Sequence, residues 1–242
     1  MATRTLSQNV NQAISDFDSI KQAIIENGGE VPDGTPTSKY AELIEEIASD
    51  LSGFFEGTST AIKIPKNTTK IRDFCFNIYG NSKNVSDENK YYKSLTSVLM
   101  PDSVTSIGQY AFYFCSNLVS APLPNSLTSI GQYAFAFCTN LALTSLPDGL
   151  TSIEQYTFYN CNNLAITSIP SSVTKIGTSA FHDNIGLTEI TFEGKPTNIS
   201  SDAFYGSTNL TTVRVPWANG EVSGAPWGAT KATIVYNYTA TE

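Results

Sequence analysis

The sequence predicts an α/β chain, a solenoid of 23-residue turns in which short parallel strands alternate with short helical turns, preceded by a small N-terminal helical segment. Three observations carry that prediction. The first is a set of apolar columns repeating every 23 residues: Ile107, Ile130, Ile153, Ile176 and Ile199; Phe112, Phe135, Phe158, Phe181 and Phe204; Leu118, Leu141, Leu164, Leu187 and Leu210. A fixed period over three columns means that each unit buries its Ile, Phe and Leu against the same residues of its neighbours. The second is the period of two in pieces such as Ile190 and Phe192 or Val213 and Val215, which marks strands. The third is the helical spacing of apolar residues before residue 50.

From the N-terminus, Val10, Ile14, Phe17, Ile20 and Ile24 recur at helical intervals, and Tyr40, Leu43, Ile44 and Ile47 do so again. The stretch GGEVPDGTP between them is a loop by composition. Two amphipathic helices follow, over about 7–27 and 37–50, whose apolar stripes need a partner surface. Residues 1–60 hold ten acidic and three basic side chains, whereas the remainder of a chain of net charge −8 is nearly neutral. The Val10 to Ile24 stripe is close to coiled-coil spacing and predicts self-association, as a trimer, although Lys21 falls on the seam.

The solenoid begins with an irregular copy. Ile71 and Phe76 match Ile107 and Phe112, and Leu95, Val98, Met100 and Pro101 supply its second half. Ile71 and Ile107 lie 36 residues apart, so one insertion of 13 is expected. The polar stretch over residues 81–93 has no apolar face and should leave the solenoid as a surface loop. In each regular unit, Phe112, Cys115 and Leu118 stand three apart, the spacing of one helical turn. A strand closed by Pro124, Pro147 or Pro170 comes next, then a second extended piece ending at Gly108, Gly131 or Gly177. Stacked at about 4.8 Å, six turns make a solenoid roughly 30 Å long.

The run Ala-Phe-x-x-Cys-x-x-Leu, followed by a short apolar strand, Pro and Ser-Val/Leu-Thr-x-Ile-Gly, resembles the BspA-type leucine-rich repeats from about Ala61 to Trp217. The resemblance implies a leucine-rich-repeat solenoid used for adhesion or recognition. It weakens where Asn184 and Ser207 stand in place of Cys. Asp16 to Ile47 is similar to a helical segment of tail-associated proteins of phages and prophages of Gram-positive hosts. Residues 215–237 resemble the C-terminal cap of phage-borne repeat proteins. These two likenesses imply a receptor-binding or structural tail protein, located in the virion tail and made in the host cytoplasm. Its partners would be a host cell-surface glycan or protein and, through the N-terminal helices, other tail proteins. A bacterial surface or secreted adhesin and a non-binding virion spacer are the alternatives. The expected division is 1–56 attachment segment, 57–217 solenoid and 218–242 cap.

Other classes find little in the residues. The first 17 residues contain no apolar core of a secretory signal, and no run approaches a membrane span, so membrane insertion is not expected. Clustered Lys and Arg for phosphate contacts are missing, so nucleic acid is not an expected partner. Cys115, Cys138 and Cys161 form one column and read as small buried residues rather than a disulfide or zinc site. His182, the sole histidine, falls where Tyr113, Ala136 and Tyr159 stand in other turns and reads as a variable surface residue. Phosphate-loop and nucleophile-elbow motifs are absent, and no catalytic residue, metal or cofactor is expected.

A contact site is sought where the repeat departs from its pattern. Strand alternation assigns Ser97, Ser120, Leu143, Ile166, Glu189 and Thr212 to one outward row. Leu143 and Ile166 break its polar character. Either the two turns re-phase locally and bury both side chains, or they expose an apolar patch in mid-solenoid. The second case would make Leu143 and Ile166 ligand contacts flanked by Glu189 and Arg214, and low exposure at both excludes it.

Overall fold

The computed structural model describes residues 60–64, 66–76 and 94–239. The expected helices over 7–27 and 37–50, the trimer seam and the 81–93 loop lie outside the described residues. Among the described residues twelve short strands form, and every strand pair is parallel. One face of the solenoid carries β1 (Ala61–Lys63), β3 (Ser97–Leu99), β7 (Ser168–Ile169), β9 (Glu189–Phe192), β11 (Thr212–Arg214) and β12 (Thr233–Val235). A second face carries β2 (Lys70–Ile71), β4 (Ser106–Ile107), β5 (Ser129–Ile130), β6 (Ser152–Ile153), β8 (Lys175–Ile176) and β10 (Asn198–Ile199). Six coils, identified here by their isoleucines at 71, 107, 130, 153, 176 and 199, stack in sequence order.

The isoleucine register is the one the repeat dictates. Ile71 pairs with Ile107 across the 36-residue gap, Ile107 with Ile130, Ile153 with Ile176 and Ile176 with Ile199. Phe112, Phe135, Phe158, Phe181 and Phe204 are fully buried. Together with Phe76 they form one continuous stack with ring centroids 5.0–5.6 Å apart. Each buried Phe removes enough apolar surface from water to contribute about 1.5–3 kcal/mol. The segment holding both tryptophans closes the C-terminal end of the stack, where Trp227 is fully buried and packs against Phe192 and Trp217.

The helical turn expected between Phe and Leu is not formed, and no helix occurs among the described residues. An α-helix satisfies its amides within one segment. Here alternate amides leave the segment: those of Tyr110, Phe112 and Phe114 donate to the carbonyls of Gln132, Ala134 and Ala136 in the next coil. The amides of Tyr113, Cys115, Ser116 and Leu118 turn back locally, to Tyr110, Phe112, Phe114 and Cys115. The alternation needs a left-handed residue twice per coil, at Tyr110 and Phe114 (φ 55° and 62°), Tyr133 and Phe137 (56° and 63°), Tyr156 and Asn160 (56° and 55°), and Ser179 and Asp183 (49° and 58°). Each such conformation costs a non-glycine residue roughly 1–2 kcal/mol, and the inter-coil hydrogen bonds offset it. The described residues are therefore an all-β stack with turns on its third face, rather than α/β.

The Cys column has a hydrogen-bonding role that explains its exceptions. Cys115, Cys138 and Cys161 donate from Sγ to the carbonyls of Phe76, Phe112 and Phe135 at 3.2, 3.1 and 3.0 Å. Asn184 Nδ2 does the same to Phe158 at 2.7 Å, and Ser207 Oγ to Phe181 at 2.8 Å. Residue type changes while the donor stays, so the repeat persists through Asn184 and Ser207. All four thiols are free.

Both strand faces are interrupted at mid-height. On the second face, β2-β4-β5 and β6-β8-β10 are separate sheets, with no pairing between β5 and β6. The side chain of Glu154 stands there at the position that Gly131 and Gly177 hold in adjacent coils. A Cβ at Gly131 would meet the Gln109 backbone nitrogen at 2.6 Å, and one at Gly177 would meet that of Gln155 at 2.7 Å. On the first face, β1-β3, extended by a bridge from Ser97 to Ser120, is separate from β7-β9-β11-β12. Between them run the segments around Pro122 and Leu143, which form no strand.

Candidate functional site

Leu143 and Ile166 are buried, at 6% and 1% exposure, so the apolar contact patch is not formed. The two coils re-phase. After the inward Leu141 and Leu164, the next inward side chain comes two residues on, whereas in the following coil it comes three on, from Leu187 to Ile190. Thr144 and Thr167 take the solvent positions instead. The backbone records the slip, since the Ala165 amide reaches the Leu143 carbonyl, 22 residues back, and the Thr191 amide reaches Thr167, 24 back. Glu189 and Arg214 are held to each other at 2.8 Å, and the guanidinium lies 5.7 Å from the Tyr238 ring centroid. They flank no apolar patch.

The turn face carries the chemistry that the column analysis passed over. Phe74, Tyr110, Tyr133 and Tyr156 stack with centroids 5.0, 4.6 and 4.6 Å apart. Phe114 and Phe137 stack beside them at 4.1 Å. Tyr113 packs edge-on between these columns, against Tyr133 at 6.2 Å and Phe137 at 5.8 Å. Tyr159, His182 and Tyr205 continue its column at 4.9 and 5.0 Å. The left-handed residues place these rings: Tyr110, Tyr133 and Tyr156 share φ of 55–56°, so the three rings leave the backbone in the same direction.

Two columns change character one coil apart. Tyr156 is followed by Ser179, and Phe137 by Asn160. There Tyr133, Phe137, Tyr156, Tyr159, Ser179 and His182 line an open recess of ≈ 360 Å³. A smaller one of ≈ 140 Å³ lies where the first strand face is interrupted, between Ala121-Pro122-Leu123 and Leu143-Thr144-Ser145. His182, read from the sequence as a variable surface residue, is half-buried within the aromatic column.

Electrostatics in the larger recess favour neutral rings beside fixed carboxylates. Burial, followed by the neighbouring Tyr110 and Tyr156 hydroxyls, raises the Tyr133 pKa. Burial and then the Asp183 carboxylate raise that of Tyr159, whose hydroxyl is hydrogen-bonded to Asp183. Asp183 Oδ2 also lies 3.1 Å from His182 Nδ1, but off the line of a ring N–H, so the buried nitrogen makes no hydrogen bond. Burial would raise the Asp202 pKa, but donors outweigh it and hold the carboxyl below its ordinary value: Ser200 Oγ at 2.6 Å and Ser179 Oγ at 2.7 Å. Among the described residues, no three His, Cys, Asp or Glu side chains converge as metal ligands.

The model of the BspA type leucine rich repeat region matches residues 83–211, just over half of the chain. The chain belongs to the BspA-type leucine-rich repeat family. Among solved structures, this BspA-type chain is similar to the leucine-rich repeat protein of T. pallidum, at 28% identity over 65% of this chain and 73% of that one, with a TM-score of 0.54. A leucine-rich cell surface protein of Faecalibacterium prausnitzii matches at 22% identity over 74% of this chain and 60% of its own (TM-score 0.38). A leucine-rich repeat protein of Bacteroides ovatus matches at 20% over 75% and 61% (TM-score 0.34). No curated protein matches the chain.

Proposed function

We propose that this BspA-type solenoid is a non-enzymatic recognition protein of a phage tail, which presents its aromatic turn face to a glycan or protein on the host cell surface. The observation that carries the recognition role is the recess lined by Tyr133, Phe137, Tyr156, Tyr159, Ser179 and His182. It gathers five aromatic side chains on a solvent-facing side of a fold whose core is already filled, and open aromatic recesses with a few polar groups are binding sites by default. The resemblance of Asp16 to Ile47 to tail-associated proteins, and of residues 215–237 to the C-terminal cap of phage-borne repeat proteins, supports the placement, with residues 1–56 as the attachment segment. Labelled full-length protein is expected to decorate a subset of Gram-positive cells, and the double variant Tyr133→Ala, Tyr156→Ala to lose that binding while keeping its melting transition. Undiminished binding by the variant would move the contact off this face.

A bacterial surface or secreted adhesin is the second reading, favoured by membership of the BspA-type leucine-rich repeat family. Antibody against the chain separates the two. Labelling of tail tips in purified virions supports the first reading, and labelling of intact cells that produce no particles supports the second. Absence of cell binding alongside virion labelling would leave a spacer.

A further inference from the structure

We propose that the recess is a receptor for a trimethylammonium group, a inference that rests on the turn face being the contact face. In a stacked column each ring covers its neighbour's face, so a π-face is open only where the column stops. Tyr156 has Tyr133 on one side at 4.6 Å and, at the next position of the column, Ser179 instead of a ring. Its outer face therefore looks into the recess, with Tyr159 edge-on at 5.5 Å and Phe137 beyond it. Aromatic faces carry negative potential and attract cations within about 6 Å of the ring centroid.

The fixed charges point the same way. No Lys or Arg lines the recess. Two carboxylates touch residues that line it: Asp183, against Tyr159 and His182, and Asp202, bonded to Ser179. An anion would meet carboxylates with no counter-charge. A neutral sugar would find few free polar groups, because Ser179 Oγ is committed to Asp202 and the Tyr159 hydroxyl to Asp183. A methylated ammonium presents apolar methyl groups to the rings and a positive charge to the carboxylates, so both features of the recess are used.

The column supplies its own test. Tyr110, Tyr133, Tyr156 and Ser179 share the left-handed backbone, so Ser179→Tyr completes the stack without asking for a new conformation and fills the recess. Calorimetric titration of the full chain with choline chloride is expected to show binding. Dimethylbutanol, the uncharged isostere of choline, should bind at least about tenfold more weakly. Tyr156→Ala and Asp183→Asn should each weaken choline binding several-fold, Tyr156→Phe should retain it, and Ser179→Tyr should abolish it while the chain still melts cooperatively. Retention on a choline-bearing soluble polymer, against sedimentation with phosphatidylcholine vesicles, separates a polymer substituent from a lipid headgroup, and either supports the site. Equal binding of choline and its isostere, or full binding by a folded Ser179→Tyr, overturns the proposal. Cell binding that choline does not compete overturns it while leaving the recognition role intact. Loss of the role itself would show as no cell binding at all.

Discussion

Phe158 sits in the middle of the buried ring stack, 5.6 Å from both Phe135 and Phe181. Coils on each side hold its neighbours in place, so Phe158→Ala opens a cavity that cannot collapse. Chemical denaturation should show a loss of about 3–5 kcal/mol, and an unchanged midpoint would contradict the stack. The Cys column separates packing from donation. Cys138→Ser keeps a donor toward the Phe112 carbonyl, as Ser207 does toward Phe181, and should be tolerated within about 1 kcal/mol, whereas Cys138→Val removes the donor and should cost more. The buried thiols also set a pH limit. Burial raises the pKa of Cys115, Cys138 and Cys161 above the ordinary 9.0. The unfolded chain then gives up thiol protons at a pH where the fold still holds them, so this stability is complete below 9.0 and is lost as pH rises through the folded values. Denaturant midpoints measured from neutral pH upward should fall above that value, and less steeply when all three thiols are replaced by Ser.

At the scale of elements, the glycines ending the second strand mark where coils touch. A methyl group at Gly131 would lie 2.6 Å from the Gln109 nitrogen, against backbone that cannot swing aside. Gly131→Ala should therefore weaken the β4–β5 pairing, visible as faster amide exchange at Ile130 and Gly131, and protection equal to the parent would refute the contact. The inward columns of Ile, Phe and Leu were legible in the sequence because burial imposes one residue class on one position in every coil. The turn was not. Spacings of three from Phe112 to Cys115 to Leu118 suit a helical turn and a chain of alternating turns equally, and the left-handed positions that decide between them are held in the first coils by Tyr and Phe, the glycine that usually signals them standing there only at Gly206. Leu143 and Ile166 were misread for a related reason: strand alternation fixes the facing only while the strand stays in register, and these coils slip. The aromatic site had a signal in Tyr110, Tyr133 and Tyr156, three successive tyrosines in one column that no inward face required.

For the molecule as a whole, a stack of coils behaves as a one-dimensional array whose stability is a sum over neighbouring contacts. The contact between the coils of Ile130 and Ile153 is the thinnest described here. The second strand face contributes no ladder there, and the first contributes the hydrogen bond from Ala165 to Leu143. The turn face is intact, with amides of Tyr133, Phe135 and Phe137 bonded to Gln155, Thr157 and Tyr159 at 3.1, 2.9 and 2.8 Å. Surface ion pairs such as Lys175–Glu154, at 3.1 Å, add little at exposed positions. Native-state hydrogen exchange should accordingly resolve two cooperative blocks that part between residues 130 and 152. A single block with uniform protection would show that the ring stack alone makes the solenoid one unit.

The double interruption of the strand faces has a mechanical side. Load applied along the stack passes from coil to coil through whatever bonds join them, and at this level it passes almost wholly through the turn face. That face is where the recess lies, with Tyr133 and Phe137 on one side of the gap and Tyr156 and Tyr159 on the other. An occupant touching both pairs of rings acts as a rivet across the weakest joint. A chain gripping the proposed target at this point would harden under tension where, empty, it would yield first.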